Sequence, residues 1–294
     1  MITAKRIGVY TAALIVFLFC AGPVLLSGFG SIIPEQALFS FPPRWFSHGI
    51  TLDNYRYIIT GDIPKSYQQV GANAALLSDA ARQVPGAMVN SSIVAFWVAI
   101  INIVFGSPAA YAFARMLFPF KMVTFFSILM CRLVPVVALA TPFYLLIQGM
   151  GLLGTRLAVV LVHSVQTLPF TMLILTLFFR RIPRAIEEAA AIDGCTRLQS
   201  FLRITIPISL PSVITTGLFA FMLSYAEFLF ALVLSGRAEN RALSVVLAVL
   251  ARNVNVSWGL LNASIFMALI PSALLVVIVW RVVVEGVLAG ATKG

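Results

Sequence analysis

Pro183-Arg-Ala-Ile-Glu-Glu-Ala-Ala-Ala-Ile-Asp-Gly-Cys-Thr-Arg-Leu-Gln-Ser-Phe-Leu-Arg-Ile-Thr-Ile-Pro207 is the densest charged block in a chain that is otherwise mostly apolar. Arg180, Arg181, Arg184, Arg197, Arg203, Glu187, Glu188 and Asp193 all lie in it or at its edge. Its punctuation is that of two short helices. Pro183 suits a first helical position, where a missing N–H costs nothing. Glu187 and Glu188 fall early in the first helix, where negative charge favours the dipole. Gly194 is placed to end that helix in a left-handed conformation. Thr196, with Gln199 three residues on, forms a capping box for the second helix. Leu198, Phe201 and Leu202 would give that helix one apolar face, and Pro207 would end it. The block therefore reads as helix, glycine turn, helix: a rigid polar knob suited to docking a soluble partner.

What flanks the knob is greasy. The 294 residues are 61% hydrophobic and only 10% charged, against about 25% charged in soluble domains. Apolar runs long enough to cross a hydrocarbon core of about 30 Å recur along the chain. The expected class is an all-α polytopic membrane protein with six transmembrane helices at about 7–26, 88–114, 122–147, 157–179, 208–234 and 260–284. Lys5 and Arg6 before the first run, and Arg180 and Arg181 after the fourth, place the N-terminus, the C-terminus and the 180–207 loop in the cytoplasm by the positive-inside rule. Residues 27–84 then form a long extracytoplasmic loop, and 236–257 a second outer loop with Arg237, Arg241 and Arg252. The tail carries Lys293. The net charge of +10 is topogenic and not a nucleic-acid signal. The partner surface it implies is lipid.

Several residues punctuate or polarise the spans. Gly22-Pro23 is expected to bend or stop the first. Pro42-Pro43 and Pro64 interrupt the outer loop, where Thr51 offers an N-cap to a short helix. Asn90, Ser91, Ser92 and Asn102 in the second span suit helix packing. The third span carries Arg132, Pro135 and Pro142. At 1.5 Å per residue Arg132 falls near mid-membrane, where a charge faces a water-filled cavity or a partner. His163 and Gln166 share a face of the fourth span, which Pro169 is expected to break. Glu227 lies in the fifth. Arg132 and Glu227 read either as a polar passage or as a structural ion pair.

Cys20, Cys131 and Cys195 match no metal or redox spacing, so neither a disulfide nor a metal site is expected. The chain has no phosphate-cradling glycine loop of the G-x-x-x-x-G-K-[ST] type, and no His/Asp/Ser or paired-carboxylate pattern pointing to an enzyme. Energy input must come from a partner or a gradient.

The knob resembles a known signature. Glu188-Ala189-Ala190, then Gly194, Ile204, Ile206 and Pro207, is similar to the E-A-A-x3-G-x9-I-x-L-P loop of ABC importer permeases, with Ile206 in place of leucine. The wider stretch from Glu187 to Phe201 resembles sugar-importer permeases of the maltose (MalG) type. Leu52-Asp-Asn-Tyr55, Asn90-Ser91, Ala110-Tyr-Ala-Phe-Ala-Arg115 with Phe118-Pro119, Gly151-Leu-Leu-Gly-Thr155 and Gly290-Ala-Thr-Lys-Gly294 agree. Residues 57–85 look like an insertion.

The resemblance implies a single type I permease domain over 1–294 in the bacterial inner membrane. It would import a sugar or polyol. Glu187, Glu188, Ala189, Ala190, Asp193, Gly194, Ile204 and Pro207 would couple it to ATPase subunits. The implied partners are a second homologous permease, two ATP-binding subunits that hold ATP and Mg, and an extracytoplasmic solute-binding protein. No cofactor is expected on this chain. Sugar permeases of this kind often read W-N-E-F in the fifth span. Here Tyr225-Ala226-Glu227-Phe228 replaces it, so an amide contact to sugar is lost at Ala226. Arg132, Tyr225 and Glu227 are the substrate-path residues this leaves. The rival reading is an ion-gradient-driven secondary transporter using intramembrane Arg132 and Glu227.

Overall fold

A computed structural model describes residues 2–38, 40–41, 45, 49–63, 79–236, 238–252 and 257–291. Pro42, Pro43, Pro64, Arg237, Lys293 and most of the 57–85 insertion lie outside these residues. All regular structure among the described residues is helical. In chain order the helices are α1 (Ile2–Ser31), α2 (Glu35–Leu38), α3 (Asp53–Thr60), α4 (Asp79–Arg82), α5 (Val84–Arg115), α6 (Lys121–Met130), α7 (Val136–Gly149) and α8 (Arg156–Arg181). They continue as α9 (Arg184–Ile192), α10 (Arg197–Ser200), α11 (Ile206–Ile208), α12 (Leu210–Tyr225), α13 (Leu229–Leu234), α14 (Leu243–Ala251), α15 (Trp258–Ala268) and α16 (Ile270–Ala291). Four stretches are long and apolar enough to cross a membrane: Arg6–Ser31, Val84–Arg115, Arg156–Arg181 and Trp258–Trp280. Two bent pairs raise the number to six if each is one span.

The prolines behave differently from expectation. α1 runs straight through Pro23 to Ser31, and α8 runs through Pro169. Neighbouring helices and side chains can re-satisfy a carbonyl freed by proline inside a membrane helix. The third run is instead broken. A 3-10 turn at Cys131–Leu133 and extended Val134 (ψ 127°) separate α6 from α7, and the pair bends by 97°. Pro135 is the cause, because the residue before a proline is pushed out of helical space. The fifth run is broken twice, first at Ser209, where Arg197–Ile208 bends 81° against Leu210–Tyr225, and again at residues 226–228. The expected outer loop at 236–257 contains α14, whose Leu243, Val245, Val246 and Leu250 are buried.

The chain divides into two compact units. The first comprises Met1–Gly86 and Val246–Ile270. Here α1 packs along α15. Gly28 and Gly30 allow the approach, since a Cβ at either would lie under 3 Å from Phe266 or Asn262. Glu35 caps α15: its carboxylate accepts from Ser257 Oγ (2.7 Å), Trp258 N (3.0 Å) and Gly259 N (3.0 Å). Buried Asn54 on α3 donates to the Ser31 carbonyl at 2.8 Å. Thr51 accepts from Asp53 N, but the N-cap position falls on Leu52, whose side chain makes no cap.

The second unit comprises Ala87–Val245 and Pro271–Gly294. One apolar core gathers Val94, Val98, Val162, Phe230 and Leu234. Another gathers Tyr111, Phe113, Phe179, Phe201 and Val213. The polar residues of α5 tie helices together, as expected. Asn90 donates to the Glu239 carbonyl at 2.7 Å, Ser91 Oγ accepts from Leu243 N at 2.8 Å, and Asn102 donates to Thr167 Oγ1 at 2.8 Å. Gly217 on α12 lets Ile103 of α5 sit where a Cβ would be, at 2.5 Å.

Candidate functional site: a capped knob and a polar cavity

The knob forms as its punctuation requires, with small shifts. Pro183 sits at the N-cap (ψ 132°), one place before the helix, and α9 begins at Arg184. Gly194 is left-handed, with φ 83°. Cys195 N donates to the Ala190 carbonyl at 2.9 Å and Gly194 N to the Ala191 carbonyl at 3.1 Å, the paired bonds of a Schellman end. The capping box is complete: Gln199 N donates to Thr196 Oγ1 and Thr196 N donates to Gln199 Oε1. Pro207 does not end the second helix. The chain passes through a π-helical turn at Phe201–Thr205, in which Ile206 N reaches back five residues to the Phe201 carbonyl. It then runs on to Ile208. A wider turn of this kind absorbs an interruption in the ladder.

The face presented outward is mixed. Ile192 is 88% exposed and Leu198 66%. Leu202 is also exposed, so of the three residues expected on one apolar face only Phe201 is buried. Glu188, Ala189, Asp193, Gly194 and Pro207 are exposed, Ile204 is half-buried and Ala190 is buried. Arg184, Glu188, Ala191, Cys195 and Arg197 line a cleft of about 280 Å³. Tyr111, Arg115 and Glu187 line its inner side, and the two adjacent acids differ in exposure and partners. Glu188 faces out, whereas Glu187 turns in, accepting from Arg115 Nε at 3.0 Å and Thr205 Oγ1 at 3.1 Å.

A second site lies where the two broken runs meet α8. Arg132, Val136, His163, Gln166, Thr167, Leu223, Ser224, Glu227 and Phe230 line a cavity of about 170 Å³. Arg132 and Glu227 both reach it, but they are not each other's partners. Arg132 Nη1 donates to the Gln166 carbonyl at 2.8 Å. Glu227 Oε2 lies 2.8 Å from His163 Nε2, and its two oxygens accept from Phe230 N and Ala231 N at 3.1 Å each. His163 Nδ1 is 2.8 Å from Ser224 Oγ. The partner of Glu227 is therefore His163 and not Arg132. Tyr225 does not line the cavity; it is buried and stacked on Phe221 with centroids 5.6 Å apart.

Ser224, His163 and Glu227 form a serine–histidine–carboxylate series that the sequence reading did not find. Its polarity is the reverse of a hydrolytic triad, in which Nε2 faces the hydroxyl and Nδ1 the carboxylate. The series ties α8 and α12 to the start of α13 and presents polar groups to the cavity. Among the described residues there is no cluster of His, Cys, Asp or Glu able to hold a metal.

A capped helical knob hung from apolar helices, two of them broken around a polar cavity, defines a membrane transport subunit. The chain belongs to the family described as binding-protein-dependent transport system inner membrane component, which matches residues 84–287. Its members are membrane permeases, and this chain is accordingly an inner-membrane ABC permease subunit. That membership favours an ATP-driven importer over the ion-gradient alternative. It is 30% identical to the sulfoquinovosyl glycerol transport system permease protein SmoH of Agrobacterium fabrum, over 92% of this chain and 88% of that protein. The diacetylchitobiose uptake system permease protein DasC of Streptomyces coelicolor is 26% identical over 98% of each chain. The trehalose/maltose transport system permease protein MalG of Thermococcus litoralis is 30% identical over 74% of this chain and 79% of that protein. In fold, the chain resembles a bacterial ABC transporter involved in the import of the acidic polysaccharide alginate, with a TM-score of 0.70 at 21% identity over 96% of this chain and 97% of the other.

Proposed function

We propose that residues 1–294 form one permease domain that imports a sugar or polyol. In this reading six spans return both termini to the cytoplasm, and the 180–207 loop docks an ATP-binding subunit. The bent pair α6–α7 counts as one span, and α12 with α13 as another, the Arg197–Ile208 segment belonging mainly to the knob. The single observation that carries the docking reading is the doubly capped knob with exposed Ile192, Leu198 and Glu188. Such a surface is rigid, partly apolar and, among the described residues, left exposed by its own chain. Glu188, Ala189, Asp193, Gly194 and Pro207 would meet the ATPase. Glu187 and Ala190 would support them from beneath, and Ile204 would join the knob to α12.

The complete machine would add a second homologous permease, a second ATP-binding subunit and an extracytoplasmic solute-binding protein, with ATP and Mg held by the ATPase pair. A carbohydrate solute is supported by the sugar names of the relatives. Arg132 and Glu227 would present hydrogen-bonding groups to it, with Tyr225, buried against Phe221, beside the cavity and not in its lining. Co-expression of the chain with its genomic neighbours tests the reading. ATP-binding subunits should co-purify with the chain, and Gly194→Trp should release them. Purification of the chain without any ATPase would defeat it.

A further inference from the structure

Arg115 is the last residue of α5, and its guanidinium serves two acceptors. Nε donates to Glu187 Oε1 at 3.0 Å and Nη2 donates to the Ile182 carbonyl at 2.6 Å. The two side chains are only 8% and 15% exposed. Glu187 also accepts from Thr205 Oγ1 at 3.1 Å, and Thr205 closes the π-helical turn that leads into α12. Beneath them Tyr111, Phe179 and Phe201 form an aromatic wedge, with Tyr111 and Phe201 centroids 4.9 Å apart. One guanidinium–carboxylate pair thus joins the end of α5, the exit of α8, the first turns of α9 and the approach to α12.

We propose that the Arg115–Glu187 pair is the pivot through which movement of the docked knob reaches the spans. This rests on the reading that the knob docks an ATPase, and assigns Arg115, Glu187 and Thr205 as positioning residues within it. Neighbouring acids then have separate work: Glu188 faces the partner, and Glu187 holds the knob to its own chain. The chemistry suits the task. A nearly buried charged pair that loses one member leaves the other uncompensated, so the pair resists separation. The planar fork of arginine reaches the two acceptors from two nitrogens in fixed geometry, whereas a lysine ammonium offers one nitrogen on a flexible stem. The π-helical turn beside Thr205 is the segment able to change register when the knob tilts, since single π turns cluster at functional sites.

The test uses the assembled transporter in proteoliposomes, comparing wild type with Arg115→Lys and Thr205→Val. The quantity read is solute imported per ATP hydrolysed. In Arg115→Lys the ATPase subunits should remain bound and hydrolyse ATP, while the ratio falls about tenfold, the scale of one lost charge-assisted hydrogen bond. Thr205→Val should lower it in the same direction by roughly threefold, as one neutral hydrogen bond is lost. An unchanged ratio per assembled complex overturns the proposal.

A second readout covers poor assembly. Spin labels at exposed Phe120 and Ile192, in a chain whose three cysteines are replaced by serine, should give a narrow distance distribution. Arg115→Lys should broaden it, and an unaltered distribution overturns the proposal. Absence of ATPase subunits from the wild-type preparation is a different result, which defeats the docking reading instead.

Discussion

Nε2 of His163 lies 2.8 Å from Oε2 of Glu227, which joins the middle of α8 to the gap between α12 and α13. The carboxylate is held a second time, by the Phe230 and Ala231 N–H groups of the restarting helix. Glu227 is thus a fixed part of the scaffold as well as a wall of the cavity. Glu227→Ala should remove these acceptors and leave buried donors unpaired, at a cost of about 1–3 kcal/mol. Glu227→Gln retains an acceptor and should lose less. Thermal denaturation of the purified complex distinguishes the two. Equal melting temperatures for wild type and Glu227→Ala would show that the bonds contribute nothing.

Arg132 makes its hydrogen bond to a backbone carbonyl, so its removal leaves no carboxylate stranded. Arg132→Leu should therefore assemble in normal yield but import about tenfold more slowly, as expected for loss of a charged hydrogen-bonding group in the passage. Quantitative uptake beside complex yield measures both. Failure to assemble with uptake per complex intact would make Arg132 structural.

Gly194 has φ 83° and no atom within 4 Å of a built Cβ. Space is open there within the chain, so the cost of alanine is that of a left-handed backbone, roughly 1–2 kcal/mol. Gly194→Ala should loosen the knob yet keep coupling measurable. Gly194→Trp carries the same backbone cost and adds bulk at an exposed position of the knob, so ATPase binding should be abolished where Gly194→Ala only weakens it, while the rest of the permease remains folded. Gel filtration of the chain and pull-down of the ATPase give the two results. An unaffected pull-down with Gly194→Trp would place the docking surface elsewhere.

The knob was largely legible because its determinants are local. Pro183, Gly194, and Thr196 with Gln199 act within one or two helical turns, and each lies within a residue of its expected place. The cavity was only half legible. Arg132, His163 and Glu227 are conspicuous in apolar runs, yet the pairing of residues 163 and 227 is a product of tertiary packing that spacing along the chain does not encode. Proline misled in both directions. Pro23 and Pro169 are absorbed within helices, Pro207 stands one residue before a helix end and an 81° bend, and Pro135 follows a helix end in a 97° bend; the tertiary surroundings decide which happens. α14 went unseen because nine residues, eight of them apolar, are too few for a span and carry little periodic signal.

Glu35 holds the start of α15 with three hydrogen bonds from outside that helix. Glu35→Ala should destabilise the first turn by about 1–2 kcal/mol, the scale of a lost cap. Faster hydrogen exchange confined to residues near Trp258–Leu261 is the expected signature. Protection equal to wild type there would show the cap to be dispensable.

The central claim is that ATP hydrolysis by separate subunits drives this chain through its knob. Solute uptake by proteoliposomes holding the chain with its partner permease, ATPase subunits and binding protein tests it most directly. Uptake should require ATP, persist when the proton gradient is collapsed, and disappear in Gly194→Trp. Uptake that continues without ATP and stops when the gradient is dissipated would contradict it.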